Sequence, residues 1–201
     1  MEGVRAQESE IIHLGLHQLM ESTTHGKFRH QIFQIGEEIT KWYPPPEGYL
    51  RLDTDGSMNL QRHASCGGLI RNPKGDWVLG FQRTLGCIPQ MCAELLGVVT
   101  GLRICKQQGF NKILVYTDSL EVICLLMADC GTDHPFKLAI EEGRKLIYSD
   151  WDIEVRHAPR ETLYCADFVA KDAHQREEDM TLLLEPHPGC SNHLQADLMF
   201  S

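Results

Sequence analysis

The stretch from Tyr49 to Phe81, YLRLDTDGSMNLQRHASCGGLIRNPKGDWVLGF, decides the fold. It holds three strand-like runs, Tyr49 to Ser57, Ser65 to Arg71 and Trp77 to Phe81, rich in apolar residues and glycine. Asn72-Pro73-Lys74-Gly75 is turn chemistry between the second and the third. Connections this short join antiparallel neighbours, so the stretch predicts a three-stranded antiparallel meander. Its first strand ends in two acids, in Asp53-Thr54-Asp55-Gly56-Ser57.

Downstream, the period changes from two to about 3.6. Leu95, Val98, Val99, Leu102 and Cys105 form one stripe, predicting a helix from Pro89 to Gln108 that Gly109 ends. Ile113 to Thr117 is a fourth strand. Ser119 can cap a short helix reaching Met127. A second helix, from Pro135 to Tyr148, follows the breaker Gly131-Thr132-Asp133. Trp151 to His157 alternates strictly and predicts a half-buried fifth strand. A last helix runs from Glu161 to Arg176. The order βββαβααβα predicts an α/β domain with a mixed five-stranded sheet flanked by helices.

Upstream, Pro44-Pro45-Pro46-Glu47-Gly48 is stiff, extended punctuation. It divides an N-terminal segment, 1–46, from a domain at 47–178. Weak helical patterns cover 9–21 and 28–39 of that first segment. The remainder, 179–201, with Pro186, Pro188 and Gly189, is expected to be an irregular tail. At 201 residues the chain has room for one domain of about 130 to 150 residues plus appendages.

No apolar run reaches the roughly 18 residues of a membrane span, and the N-terminus is too acidic for a secretory signal. A soluble intracellular protein, cytoplasmic or nuclear, is expected, with no membrane partner and a monomeric domain. Eight cysteines show no Cys-x-x-Cys pair, so zinc spacing is absent and they are expected as reduced core residues. A formal charge of −9 argues against a general nucleic-acid binder, whose surface is normally basic.

Four carboxylates sit at junctions of the pattern. Asp55 lies toward the end of the first strand, Glu94 in the first helix within Met91-Cys92-Ala93-Glu94-Leu95, Asp118 just after Ile113 to Thr117, and Asp167 in Cys165-Ala166-Asp167-Phe168-Val169-Ala170. Convergent anions would repel and take up protons unless cations bound them. Hard oxygen donors suit Mg²⁺ or Mn²⁺, and two such ions about 4 Å apart activate water and stabilise the leaving oxygen in displacement at phosphorus. Spacing alone allows Asp53 or Asp55 as the first acid.

Asp-Gly-Ser on the first strand, Ala-Glu-Leu in the first helix, Thr-Asp-Ser after the fourth strand and Ala-Asp-x-x-Ala in the last helix, in that order, resemble the ribonuclease H type 1 domain. The likeness runs from Tyr49 to Arg176 and is strongest to plant domains derived from non-long-terminal-repeat retrotransposons. Trp42-Tyr43-Pro44-Pro45-Pro46 and His193-Leu194-Gln195-Ala196-Asp197 are similar to the edges of those domains. The interval from Asp118 to Asp167 leaves no room for the extra basic helix of some members, so no basic handle is expected.

The resemblance implies a hydrolase with two Mg²⁺ or Mn²⁺ ions, cutting the RNA strand of an RNA–DNA hybrid. Asp55, Glu94, Asp118 and Asp167 would hold the ions, with Asp55 bridging them. His157, ten positions before Asp167, would move a proton or help product leave. Ser57, Asn59, Gln90, Arg156 and Arg160 are candidates for substrate contact, Gln90 also for an amide beside Glu94. Arg71, Lys74 and Lys106 are further candidates for phosphate contact.

The chain departs from the pattern where Met58-Asn59-Leu60-Gln61-Arg62-His63 replaces a Gly-Asn-Pro-Gly turn, and where Leu163 replaces an asparagine. Two other functions fit part of the motif set. One is a domesticated binding domain without turnover. The other is a haloacid dehalogenase-like phosphatase with Asp53 as nucleophile, for which a later lysine and acidic pair are missing. A calcium loop beginning at Asp53 fails, because Met58 and Ala64 stand where Gly and Glu are required.

Overall fold

The computed structural model describes residues 41–127 and 134–199. The helical patterns at 9–21 and 28–39 and the breaker at Gly131 to Asp133 lie outside the described residues. The expected meander is present as β1 (Leu50–Met58), β2 (Ala64–Arg71) and β3 (Trp77–Gly86). There follow α1 (Gln90–Gln107), β4 (Lys112–Thr117), α2 (Leu120–Met127), α3 (Lys137–Ile147), β5 (Asp152–His157) and α4 (Tyr164–Asp172). The last predicted helix is thus shorter than its sequence pattern, with a 3₁₀ turn at each end, Arg160–Thr162 and Ala173–Gln175. Ser119 caps as expected, its hydroxyl accepting the Val122 N–H at 3.2 Å.

Among the described residues the sheet has six strands rather than five. Residues read as an irregular tail supply β6 (Met180–Leu183) and a final helix, α5 (Ser191–Met199). The spatial order is β5-β4-β1-β2-β3-β6. β4 runs parallel to β1 and β5 parallel to β4, whereas β2, β3 and β6 pair antiparallel. The reason the pattern missed β6 is its burial: its positions alternate between exposed and half-buried, and its pairing with β3 carries it.

Helices cover both faces. Against one, Leu52, Ile70, Phe81, Leu95, Val98, Leu102, Ile113 and Val115 form the larger core with α1, α2 and α3. Against the other, Leu69, Leu114, Tyr116, Ala166, Val169 and Cys190 form a smaller one. All described cysteines except Cys87 are buried and none forms a disulfide. Burial pushes the Cys66 and Cys105 thiols up to about 12, which suits inert core residues.

Two glycines set how closely the helices approach. A Cβ on Gly56 would stand 2.5 Å from the Glu94 nitrogen, so α1 lies directly on β1. A Cβ on Gly67 would stand 2.6 Å from the Ala170 nitrogen, so α4 lies directly on β2 from the other face. Any larger residue would push one of these helices, and the acid it carries, away from the strand ends.

Packing continues to both sides of the expected domain boundaries. Trp42, ahead of the prolines, is 2% exposed. Its ring lies 3.5 Å from the Arg71 guanidinium carbon and 5.0 Å from that of Arg51, and its Nε1–H donates to Asp53. Arg71 is 1% exposed, and its bond to Asp197 of α5 is 2.8 Å. Removing residues 179–201 takes Asp197 from a buried guanidinium, whose other carboxylate, Asp53, is 3.7 Å away. Losing one partner of a buried pair costs about 3 kcal/mol. A chain ending at residue 178 is expected to melt roughly 10 °C below the full chain. An unchanged melting temperature would show that the C-terminal segment is dispensable.

Candidate metal centre

The parallel register sets the first two acids. Asp53 pairs with Tyr116, the last pair of the register; Asp55 lies two residues further along β1, and Asp118 just past the end of β4. Glu94 enters from the first turns of α1, which the absent side chain of Gly56 lets close in. One ligand oxygen each from Asp55, Glu94 and Asp118 lie within 4.8 Å of one another. Three of the four acids singled out in the sequence are therefore gathered into one cluster.

Glu94 is held from two sides. Its Oε2 accepts the Gly56 N–H at 2.8 Å, and its Oε1 accepts the Gln90 amide at 2.9 Å. The same amide reaches the Gly56 carbonyl at 2.8 Å, tying helix to strand. Gln90 stands four positions before Glu94 and so shares its helix face. Asp55 differs: both oxygens are buried, and among the described residues neither accepts a hydrogen bond.

The electrostatics follow from this crowding. Burial, then the charges of Glu94, Asp118 and Asp167, push Asp55 up to about 9. Burial and the Asp118 charge push Glu94 up to about 7, against the pull of the Gln90 and Gly56 hydrogen bonds. Burial also raises Asp118, with Arg160 and His157 opposing. Such a set is starved of positive charge, and its donors are the hard oxygens that Mg²⁺ and Mn²⁺ prefer. The cluster fits a divalent ion held by Asp55, Glu94 and Asp118.

Asp167, from the first turn of α4, is placed differently. Its Oδ1 accepts from Arg160, whose guanidinium also comes within 4.0 Å of Asp55, and its Oδ2 accepts from Lys171 at 2.6 Å. Burial would raise Asp167, but these two cations outweigh it and hold the carboxyl below its ordinary value. Lys171 was not singled out in the sequence, although its spacing of four from Asp167 is the signal of a helical ion pair.

His157 ends β5 opposite Thr117, with its Nε2 3.2 Å from the Asp118 carbonyl. A carbonyl only accepts, so Nε2 carries the proton and Nδ1 of the neutral ring is left as a base. Ser57 is buried beside His174, whose Nε2 lies 3.2 Å from Ser57 Oγ and 3.0 Å from Ser65 Oγ. Asn59 shapes the β1–β2 turn, its Oδ1 accepting the His63 N–H at 2.9 Å, and Arg62 in that turn has φ of 63°.

The remaining basic candidates are mostly engaged elsewhere. Arg156 binds Glu154 at 2.7 Å and the Tyr116 hydroxyl at 3.2 Å, while Arg71 is buried under Trp42. Lys106 bonds Ser149 from the far end of α1, about 18 Å along the helix from Glu94 at 1.5 Å per residue. Asp53 is a structural partner of Arg51, at 2.6 Å, and of the Trp42 indole. Its oxygens are thus occupied by the fold, which leaves the phosphatase reading without a nucleophile.

The geometry has parallels among known proteins. Residues 53–173 match the family model described as reverse transcriptase-like. A protein of Arabidopsis thaliana named as a candidate ribonuclease H protein is 28% identical over 138 residues, covering 68% of this chain and 22% of its own length. This chain thus spans a small part of that relative. The ribonuclease H1 of the archaeon Halobacterium salinarum superposes with a TM-score of 0.57 at 24% identity, covering 63% of this chain and 98% of that one. The N-terminal ribonuclease H domain of a Mycobacterium tuberculosis protein gives 0.57 at 21% identity, over 63% and 94% of the two chains. A ribonuclease H1 obtained from compost, solved with an RNA/DNA hybrid, gives 0.55 at 18% identity, over 61% and 94%. These likenesses carry the fold, and the family match spans more than half of the sequence. The chain belongs to the reverse transcriptase-like family, and its domain has the ribonuclease H fold.

Proposed function

We propose that the chain is a metal-dependent endonuclease that hydrolyses the RNA strand of RNA–DNA hybrids, with two Mg²⁺ or Mn²⁺ ions as cofactors. The observation that carries this reading is the pair of buried Asp55 oxygens, unmet by any hydrogen-bond donor, beside Glu94 and Asp118. Asp55, Glu94 and Asp118 would hold one ion, and Asp55 with Asp167 the other. Bound there, the ions would supply Lewis-acid charge at the scissile phosphate and acidify the attacking water, and the products would be a 5′-phosphate and a 3′-hydroxyl.

The chain's own groups do the positioning. Gln90 and the Gly56 N–H fix the Glu94 carboxylate before anything binds, so little reorganisation is needed on loading. His157 is oriented by the Asp118 carbonyl so that Nδ1 can take a proton and return it. Ser57 and Asn59, on and just after the strand that carries Asp55, would be the residues that meet the hybrid on this reading. Contact with the 2′-hydroxyl would select RNA. With few free basic residues near the site among the described residues, binding is expected to be weak and only shallowly salt-dependent.

One observation favours a binding domain with little turnover: both oxygens of Asp167 are already taken by cations. A labelled RNA–DNA hybrid incubated with Mg²⁺ or Mn²⁺ separates the two readings. The endonuclease reading expects internal cuts in RNA only, absent in Asp118→Asn. If wild type and that variant behave alike at every metal concentration while the hybrid still binds, the protein is a binder.

A further inference from the structure

Asp167 and Asp55 meet across a guanidinium. Arg160 bonds Asp167 Oδ1 and reaches within 4.0 Å of Asp55 Oδ2, and its charge is felt by Asp118 as well. Lys171 takes the remaining oxygen of Asp167 at 2.6 Å. Among the described residues, no protein cation bonds the three-acid cluster of Asp55, Glu94 and Asp118 directly: Glu94 is held by the Gln90 amide and the Gly56 N–H, and Arg160 approaches the cluster only at Asp55, at 4.0 Å. The two halves of the acidic centre therefore start from different states, one open to a cation and the other already neutralised.

The side chains that neutralise it are able to leave. Arg160 is 57% exposed and Lys171 58%. Both are long and flexible, and water can replace their bonds. Arg51 and Arg71, each 1% exposed and locked around Trp42, are the contrast: those cations are part of the fold. A cation that is itself more than half exposed, on a buried acid at the mouth of the centre, is a replaceable ligand substitute rather than a structural pin.

We propose that Arg160, assisted by Lys171, is a built-in counter-cation that occupies the Asp55–Asp167 side of the centre and must yield it to the second divalent ion. Loading is then ordered. The first ion enters among Asp55, Glu94 and Asp118 without displacing a protein cation, and the second competes with Arg160 and Lys171. The two long side chains, once released, stand beside the centre with their charges free for a phosphate of the incoming strand. This proposal rests on the two-ion reading above and adds the order and the competitor.

Mn²⁺ titration of the purified full chain, followed by calorimetry and by the electron spin signal of free Mn²⁺, tests it without any substrate. Wild type is expected to show one tighter and one weaker site. Arg160→Gln should tighten the weaker site about threefold, and Arg160→Gln with Lys171→Gln about tenfold, with the tighter site changed less. Arg160→Lys, which keeps the charge, should stay near wild type. A weaker site with the same constant in all four proteins overturns the competition while leaving the two-ion reading intact. No Mn²⁺ uptake by any of them, with Asp118→Asn indistinguishable from wild type, overturns both.

Discussion

Asp55→Asn is expected to lower metal-dependent cleavage of an RNA–DNA hybrid by on the order of 10³-fold or more, measured as single-turnover rate at saturating Mg²⁺. The size follows from what the carboxylate does in the fold. Among the described residues its oxygens accept from no donor, so the fold does not depend on a donor held by this side chain. Asparagine keeps its shape and removes only the charge that a cation needs. It is also the acid that joins both halves of the centre, neighbouring Glu94 and Asp118 on one side and Arg160 on the other. His157→Ala, which removes a proton carrier but no ion ligand, is expected to cost about 10²-fold. Should Asp55→Asn keep a tenth of the wild-type rate, Asp55 is not the shared ligand and the mechanism has to be redrawn.

Much of this centre was legible because its order is written into local patterns. Asp55 followed by Gly56 is a strand whose neighbour must come close, and Glu94 lies in the helix that does. Asp118 follows an apolar run that can only be an interior strand, and β4 is indeed buried from Ile113 onward. What stayed hidden depends on tertiary contact. β6 exposes two of its four positions, and its strand character comes from pairing with β3; together with α5 it lies beyond the stretch matched by the family model. Arg71 looks like any surface arginine until Trp42 and Asp197, far away in sequence on either side, close over it. By spacing alone Asp53 and Asp55 are equivalent, and the Gly56-Ser57 that follows and the family resemblance favour Asp55. Only the folded chain shows that Arg51 and Trp42 bind the first and that the second has no donor.

The same lack of a donor predicts how the metal-free protein responds to pH. In the unfolded chain these carboxyls titrate near 4. In the fold Asp55 is pushed up to about 9 and Glu94 to about 7, and Asp118 is raised too. Between those limits the folded state holds more protons than the unfolded one, so stability falls as pH rises. Their contribution is fully present below about pH 4 and lost as pH passes through 7 and toward 9. Asp167, held low by Lys171 and Arg160, acts the other way, but its effect lies at acid pH, below the unfolded value. The acids titrate as a coupled group, and the combined loss from pH 5 to pH 9 is expected to be on the order of 3 kcal/mol. In EDTA, wild type should therefore melt roughly 10 °C lower at pH 9 than at pH 5. Asp55→Asn should flatten that slope and melt above wild type at pH 8.5, because it removes the most strongly opposed charge. Excess Mg²⁺ should reverse the ranking, raising wild type through binding to the folded state and leaving Asp55→Asn nearly unmoved. A wild-type melting curve in EDTA that is flat from pH 5 to 9, with Asp55→Asn below it throughout, would mean that the cluster is already neutralised and needs no metal.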